Sequence, residues 1–194
     1  MKQVTSKTKF LYGWHITDVT STNEMRLSYN GRPIVKQGEW VDMNGGPGDR
    51  MPRVCVRGMH GCFFPVRCLS YRVDGILTFC QFEGPFSIER RDHVDPRTGS
   101  MVVPSALLSD PLTPPEVDKF AALRRKVLWR APSVELVLRM VDRKHAVLGC
   151  SPHSARRRYD LDRAISSVVR KAIRHEHKAG AISASLLKRM EKHL

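Results

Sequence analysis

The side chains with the most chemical potential are two histidines and a set of cysteines. His15 lies in Phe10-Leu11-Tyr12-Gly13-Trp14-His15-Ile16, and His60 lies in Gly58-Met59-His60-Gly61. An imidazole can pass a proton near neutral pH or ligate a metal. A single histidine on a strand is, as a type, more often a hydrogen-bonded core or edge residue. Four of the five cysteines, Cys55, Cys62, Cys68 and Cys80, fall between Arg53 and Phe86. Structural zinc calls for ligand pairs two to four residues apart in loops. Cys55 and Cys80 sit in predicted strands and Cys68 in a predicted helix, with no Cys-x-x-Cys, so the thiols read as buried apolar groups and no metal ligand is assigned.

Positive charge is the other chemical feature. Residues 121 to 194 hold 18 Lys and Arg against 6 Asp and Glu, whereas residues 1 to 120 hold 15 against 13. Nearly all of the net charge of +14 therefore belongs to the last third of the chain. Such a one-sided field attracts polyanions: nucleic acid, an acidic protein surface or anionic lipid headgroups. Arg156, Arg157 and Arg158 form its densest run, continued at helical spacing by Arg163, Arg170, Lys171 and Arg174. The glycine cluster Asn44-Gly45-Gly46-Pro47-Gly48-Asp49 is only a loop, because no Lys-Ser/Thr follows it as in a phosphate-binding loop.

The elements that must position these groups read as α+β: a small mixed or antiparallel sheet module over residues 1–130, then a basic helical region over 131–194. Alternation predicts a strand over Lys9 to Thr17, with His15 on the face away from Trp14. Met25 to Tyr29 and Arg32 to Val35 flank Asn30-Gly31, a hairpin signal, and Glu39 to Val41 suggests a short strand. In the central stretch a strand over Arg53 to Arg57 leads to a turn at Gly58 to Gly61. A helix then starts at Pro65 and runs to about Arg72, with Val66, Cys68 and Leu69 inward. Ile76 to Phe82 reads as a strand, separated by Gly84-Pro85 from another over Phe86 to Glu89. Residues 92 to 115 read as a loop excursion, and Thr113-Pro114-Pro115-Glu116 as a helix start. From Phe120 to Trp129 the apolar residues fit either a helix or a strand. Three helices finish the chain. The first is capped by Ser133, buries Val134, Val137, Leu138, Val141 and Leu148, and stops at Gly149. The second buries Leu161, Ile165, Val168, Val169, Ala172 and Ile173. The third carries Ile182, Leu186, Met190 and Leu194. The last two read as a hairpin packed on the sheet or on another copy of the chain, or as a helix-turn-helix.

A hydrophobic content of 41% and a charged content of 27% are those of a soluble globular protein. No apolar run approaches the roughly 18 residues of a membrane span, and the first ten residues have no signal-peptide core. These features, with an odd number of cysteines, predict a cytoplasmic protein with reduced thiols.

Two resemblances add to this. Gly31-Arg32-Pro33-Ile34, Gly38-Glu39-Trp40, Gly58-Met59-His60, the helical turn ending in Tyr71, Ile76 to Phe82, Asp118-Lys119-Phe120 and Val127-Leu128-Trp129 resemble, in order, an uncharacterised family of small phage and bacterial proteins. The matching pieces cover about half the chain, residues 92 to 117 look inserted, and the family implies no activity. The second resemblance is to the ADP-ribosyltransferase-like fold. Tyr12-Gly13-Trp14-His15-Ile16-Thr17 is similar to its ribose-binding histidine strand, Gly58-Met59-His60 to the strand on the nicotinamide, Leu69-Ser70-Tyr71 to its helix and Ile76-Leu77-Thr78-Phe79 to the next strand. It implies NAD as cofactor and His15, His60 and Tyr71 as catalytic residues. Ile16 stands where that superfamily usually has glycine, and Glu83 and Glu89 are the only carboxylates near a catalytic glutamate's place.

The function expected first is a phage-type accessory protein that binds nucleic acid or an acidic protein through its C-terminal helices, free in the host cytoplasm. The second is NAD-dependent ADP-ribosyl transfer. The third is a virion subunit whose basic tail faces DNA or a neighbouring copy.

Overall fold

A computed structural model describes residues 10–27, 34–42, 52, 58–89, 119–150 and 154–194; for residues 85, 88, 89, 150 and 154–159 it describes the backbone only. The Asn30-Gly31 turn, the glycine cluster at 44–49, the strand over 53–57, the excursion at 92–115 and the helix start at 113–116 fall outside the described residues. The elements are β1 (Phe10–Val19), β2 (Met25–Arg26), β3 (Trp40–Asp42), β4 (Met59–Cys62), α1 (Pro65–Cys68), β5 (Ile76–Glu89), β6 (Lys119–Arg130), α2 (Glu135–Cys150), α3 (Ser154–Lys178) and α4 (Ala184–Glu191). The class is α+β, and every strand pair is antiparallel.

Four of the strands pair in a ring. β1 runs along β5 from Phe10–Glu83 to Thr17–Ile76. β5 runs along β6, β6 along β4, and β4 returns to β1 through the pair Trp14–Cys62. β2 extends β1 at Asp18 and Val19, and β3 lies on the other edge of β6. The β5–β6 ladder shifts register twice, with the extra residue on β6 (Leu128) at Phe79/Cys80 and on β5 at Glu83/Phe86, and such irregularities let paired strands bend. Gly84-Pro85 therefore does not separate two strands, as its composition suggests, but forms a bulge within one.

The ring corrects one further expectation and decides one open alternative. Met59 to Cys62, read as part of a glycine turn, is strand β4, hydrogen-bonded to β6. Gly61 is needed there because a Cβ would stand 2.5 Å from the Phe82 ring and 2.8 Å from the Phe120 ring. The run to Trp129 is strand throughout, since β5 pairs with it along its length and β4 and β3 take its other edge. α1 is one turn long, shorter than the eight residues its pattern suggests, although Val66, Cys68 and Leu69 are buried as expected.

The ring has two apolar sides. Phe82, Phe120, Cys80, Val127, Met59 and Phe86 form one cluster with Met25, Leu27 and Val35. On the other side Trp14, Ile16, Phe79 and Trp129 share a core with Met140 of α2, Ile165, Val169 and Ile173 of α3, and Ile182 and Met190 around α4. Strands and helices thus bury one common apolar volume. The stripe expected on α3 is the stripe that is buried. On α2 the buried face is Leu136, Val137 and Met140, whereas Val134, Leu138 and Leu148, expected inside, are exposed. α2 also runs through Gly149 instead of stopping there. Gly180, at φ 81°, ends the turn after α3, and Ser183 caps α4 by accepting from the Leu186 N–H.

Candidate functional site

A cavity of about 210 Å³ opens where β1 and β4 part company. Among the described residues the two strands are joined only at Trp14–Cys62; beyond it β1 pairs with β2, and β4 pairs with β6. Alternation on β1 sends Trp14 and Ile16 into the helix-side core and His15 to the opposite side, where its carbonyl accepts from Thr78 Oγ1 at 2.8 Å. On β4, Met59 belongs to the inner cluster and Cys62 to the helix-side core, so His60 comes from the helix side. The gap between the strands lets both imidazoles line one cavity.

The end of α1 supplies a third wall. Burial of Val66, Cys68 and Leu69 turns Tyr71 and Arg72 toward the cavity, where Tyr71 stays 39% exposed. Gly75, at φ 123°, brings the chain back so close to β1 that a Cβ would lie 2.5 Å from the Thr17 carbonyl oxygen. The Lys119 ammonium sits 3.7 Å from the centre of the Tyr71 ring, a cation–π contact at the rim.

The electrostatics are one-sided. Arg26, Arg72, Lys119 and Arg125 line the cavity, and no carboxylate does among the described residues. Arg125 is only 3% exposed and Lys119 8%, so their charges act where water screens them poorly. Two of them are ion-paired: Asp18 is 3.3 Å from Arg26 and 3.1 Å from Arg72, and Asp74 is 2.9 Å from Arg72. Burial, and next the Arg125 charge, hold the His15 imidazole well below its ordinary pKa, with His60, Arg72 and Lys119 adding to the effect. His15 is therefore neutral at physiological pH, able to accept or donate one hydrogen bond.

No protein family, curated protein or solved structure matches the chain. The case for the site accordingly rests on its own geometry.

Of the residues singled out in the sequence, His15, His60 and Tyr71 are brought together. Arg163, Arg170, Lys171 and Arg174 lie on α3 and do not line the cavity, and Arg156, Arg157 and Arg158 fall in the first turns of that helix. Glu83 is 3.7 Å from Arg124, which takes the opposite face of β6 from its neighbour Arg125, and does not line the cavity. Cys62 and Cys68 are buried thiols at the cavity wall, and burial, with Cys62 beside it, raises the Cys68 pKa well above its usual value. Sequence reasoning missed the four cations. Arg125 had a signal: Arg124-Arg125-Lys126 on a strand must turn its middle residue to the face that Val127 shares, which is the inner one.

Proposed function

We propose that this cavity binds the phosphate-bearing part of a nucleotide, and that the protein acts on NAD by ADP-ribosyl transfer. The observation that supports this reading is the convergence of His15, His60 and Tyr71, distant in the sequence, on one cavity rimmed by cations and free of carboxylates among the described residues. Buried guanidinium and ammonium groups favour phosphate oxygens. A neutral His15 offers a hydrogen bond to a ribose hydroxyl, and the Lys119 ammonium on the Tyr71 ring sets a positive charge at the rim. A volume of about 210 Å³ accommodates one ring or one phosphoryl group in depth, so most of a dinucleotide would lie over the mouth, against Arg26 and Arg72. Transfer breaks the nicotinamide–ribose bond and passes the ribosyl C1′ to an acceptor; the cavity's residues would bind and orient the cofactor for that step.

Titration calorimetry with NAD, ADP-ribose and pyrophosphate tests the reading. Binding of NAD and ADP-ribose is expected, weakened about tenfold or more in His15→Ala and Arg125→Gln by loss of a charged or buried hydrogen bond. Absence of heat with all three ligands would defeat the nucleotide reading. Binding of pyrophosphate and ADP-ribose without release of nicotinamide from NAD would leave a binding protein and remove the enzyme.

A further inference from the structure

α3 carries a cationic face separate from the cavity. At about 100° per residue, Arg163, Arg170, Lys171, Arg174 and Lys178 fall within an arc of about 100° on one side of the helix. The opposite side is locked down: Ile165, Val169 and Ile173 are fully buried in the core shared with the sheet. Arg163, Lys171, Arg174 and Lys178 are exposed and Arg170 is half-buried. Among the described residues, only Arg174 of these five makes an ion pair, with Glu191 at 2.8 Å. Asp162, which neighbours Arg163 in sequence, is turned off the arc and bonded to Arg67 at 3.1 Å. Asp160 shares the arc, at its N-terminal end. From Arg163 to Lys178 the row is roughly 22 Å long.

We propose that this row binds the phosphate backbone of a nucleic-acid duplex. Over roughly 22 Å one strand of a duplex presents about six phosphates, a line of charge as long as the row. A protein partner fits less well. Stable protein interfaces have an apolar centre, and this arc carries only Ser167 between its cations. Because the helix is anchored along its far side, the row is held straight and loses little freedom on binding. Contacts of this kind go to phosphates and carry no base readout.

The test is fluorescence anisotropy with a labelled duplex of arbitrary sequence, titrated at several salt concentrations. The full chain is compared with Arg163→Gln/Lys171→Gln/Lys178→Gln, which changes only exposed side chains. For the parent, log K should fall steeply with log salt; the triple variant should bind at least tenfold more weakly at low salt, with the slope reduced by about 2 to 3. A control, Lys188→Gln/Lys192→Gln, removes exposed cations from the last helix and the residues after it. It should leave the slope within about 0.5 of the parent. Three outcomes overturn the proposal: no binding at low salt, an equal loss in the control, or binding of poly-glutamate as tight as that of the duplex. His15→Ala should bind the duplex like the parent, so the cavity reading and this one stand or fall separately.

Discussion

His193 shows what a single half-buried side chain can do to the whole protein. Its ring packs on Phe79 and Phe63, with centroids 5.6 and 6.5 Å away, and its carbonyl accepts from Trp14 Nε1 at 2.7 Å. Burial lowers its pKa to about 4, against a bond with the Phe63 backbone that pulls the other way. Between about pH 6.5 and pH 4 the unfolded chain binds a proton that the folded chain refuses, so stability is complete above the window and falls as the pH drops through it, by up to about 3 kcal/mol. His15 is shifted in the same direction and adds to the loss. Urea midpoints should fall between about pH 7 and pH 5, and His193→Phe, which keeps the ring contacts, should show a shallower fall. Equal midpoints for the parent at both pH values would contradict this. None of it was legible in the sequence, because a penultimate histidine in a basic tail carries no mark of the Trp14 it will meet.

At the scale of the element, α2 shows the limit of periodicity. Its sequence offers two overlapping apolar faces, one through Val134, Leu138 and Val141 and one through Val137, Met140 and Val141. Helical spacing alone does not choose between them. The sheet does: Met140 and Val137 meet the apolar side of the ring, and Leu138 is left 53% exposed. Met140→Ala should then cost about 2 to 5 kcal/mol, the price of a cavity in a closed core. Leu138→Ala should stay within about 0.5 kcal/mol of the parent. Chemical denaturation of the two variants decides the matter, and the reverse order would restore the face that spacing suggested. α3 had no such ambiguity. Its one apolar stripe lies on the side of the helix away from the cations, and Ile165, Val169 and Ile173 are buried as the pattern required.

At the scale of the molecule, Trp14 and Trp129 lie in the same core as residues of α2, α3 and the segment around α4. A helical region with its own core would melt independently of the sheet; a shared core couples the two. Tryptophan fluorescence and far-UV circular dichroism should therefore report one coincident urea transition, as expected for a single cooperative unit. Two separated midpoints would show that the helices fold apart from the strands. No helix among the described residues is long and apolar enough to cross a membrane.

The sequence by itself determined what depends on near neighbours. The alternation of β1 put His15 opposite Trp14, the stripe of α3 chose its buried and charged faces, and Ser133 marked the start of α2. What only the tertiary structure decided is the meeting of distant segments. His15 and His60 line one cavity because β1 and β4 join at Trp14–Cys62 and then diverge. Arg72 and Arg125 become cavity residues for the same reason: one follows the turn of α1 and the other faces inward on β6. Local spacing says which face a side chain takes, but what stands opposite that face is set by ring closure, a property of pairings between residues far apart in the chain.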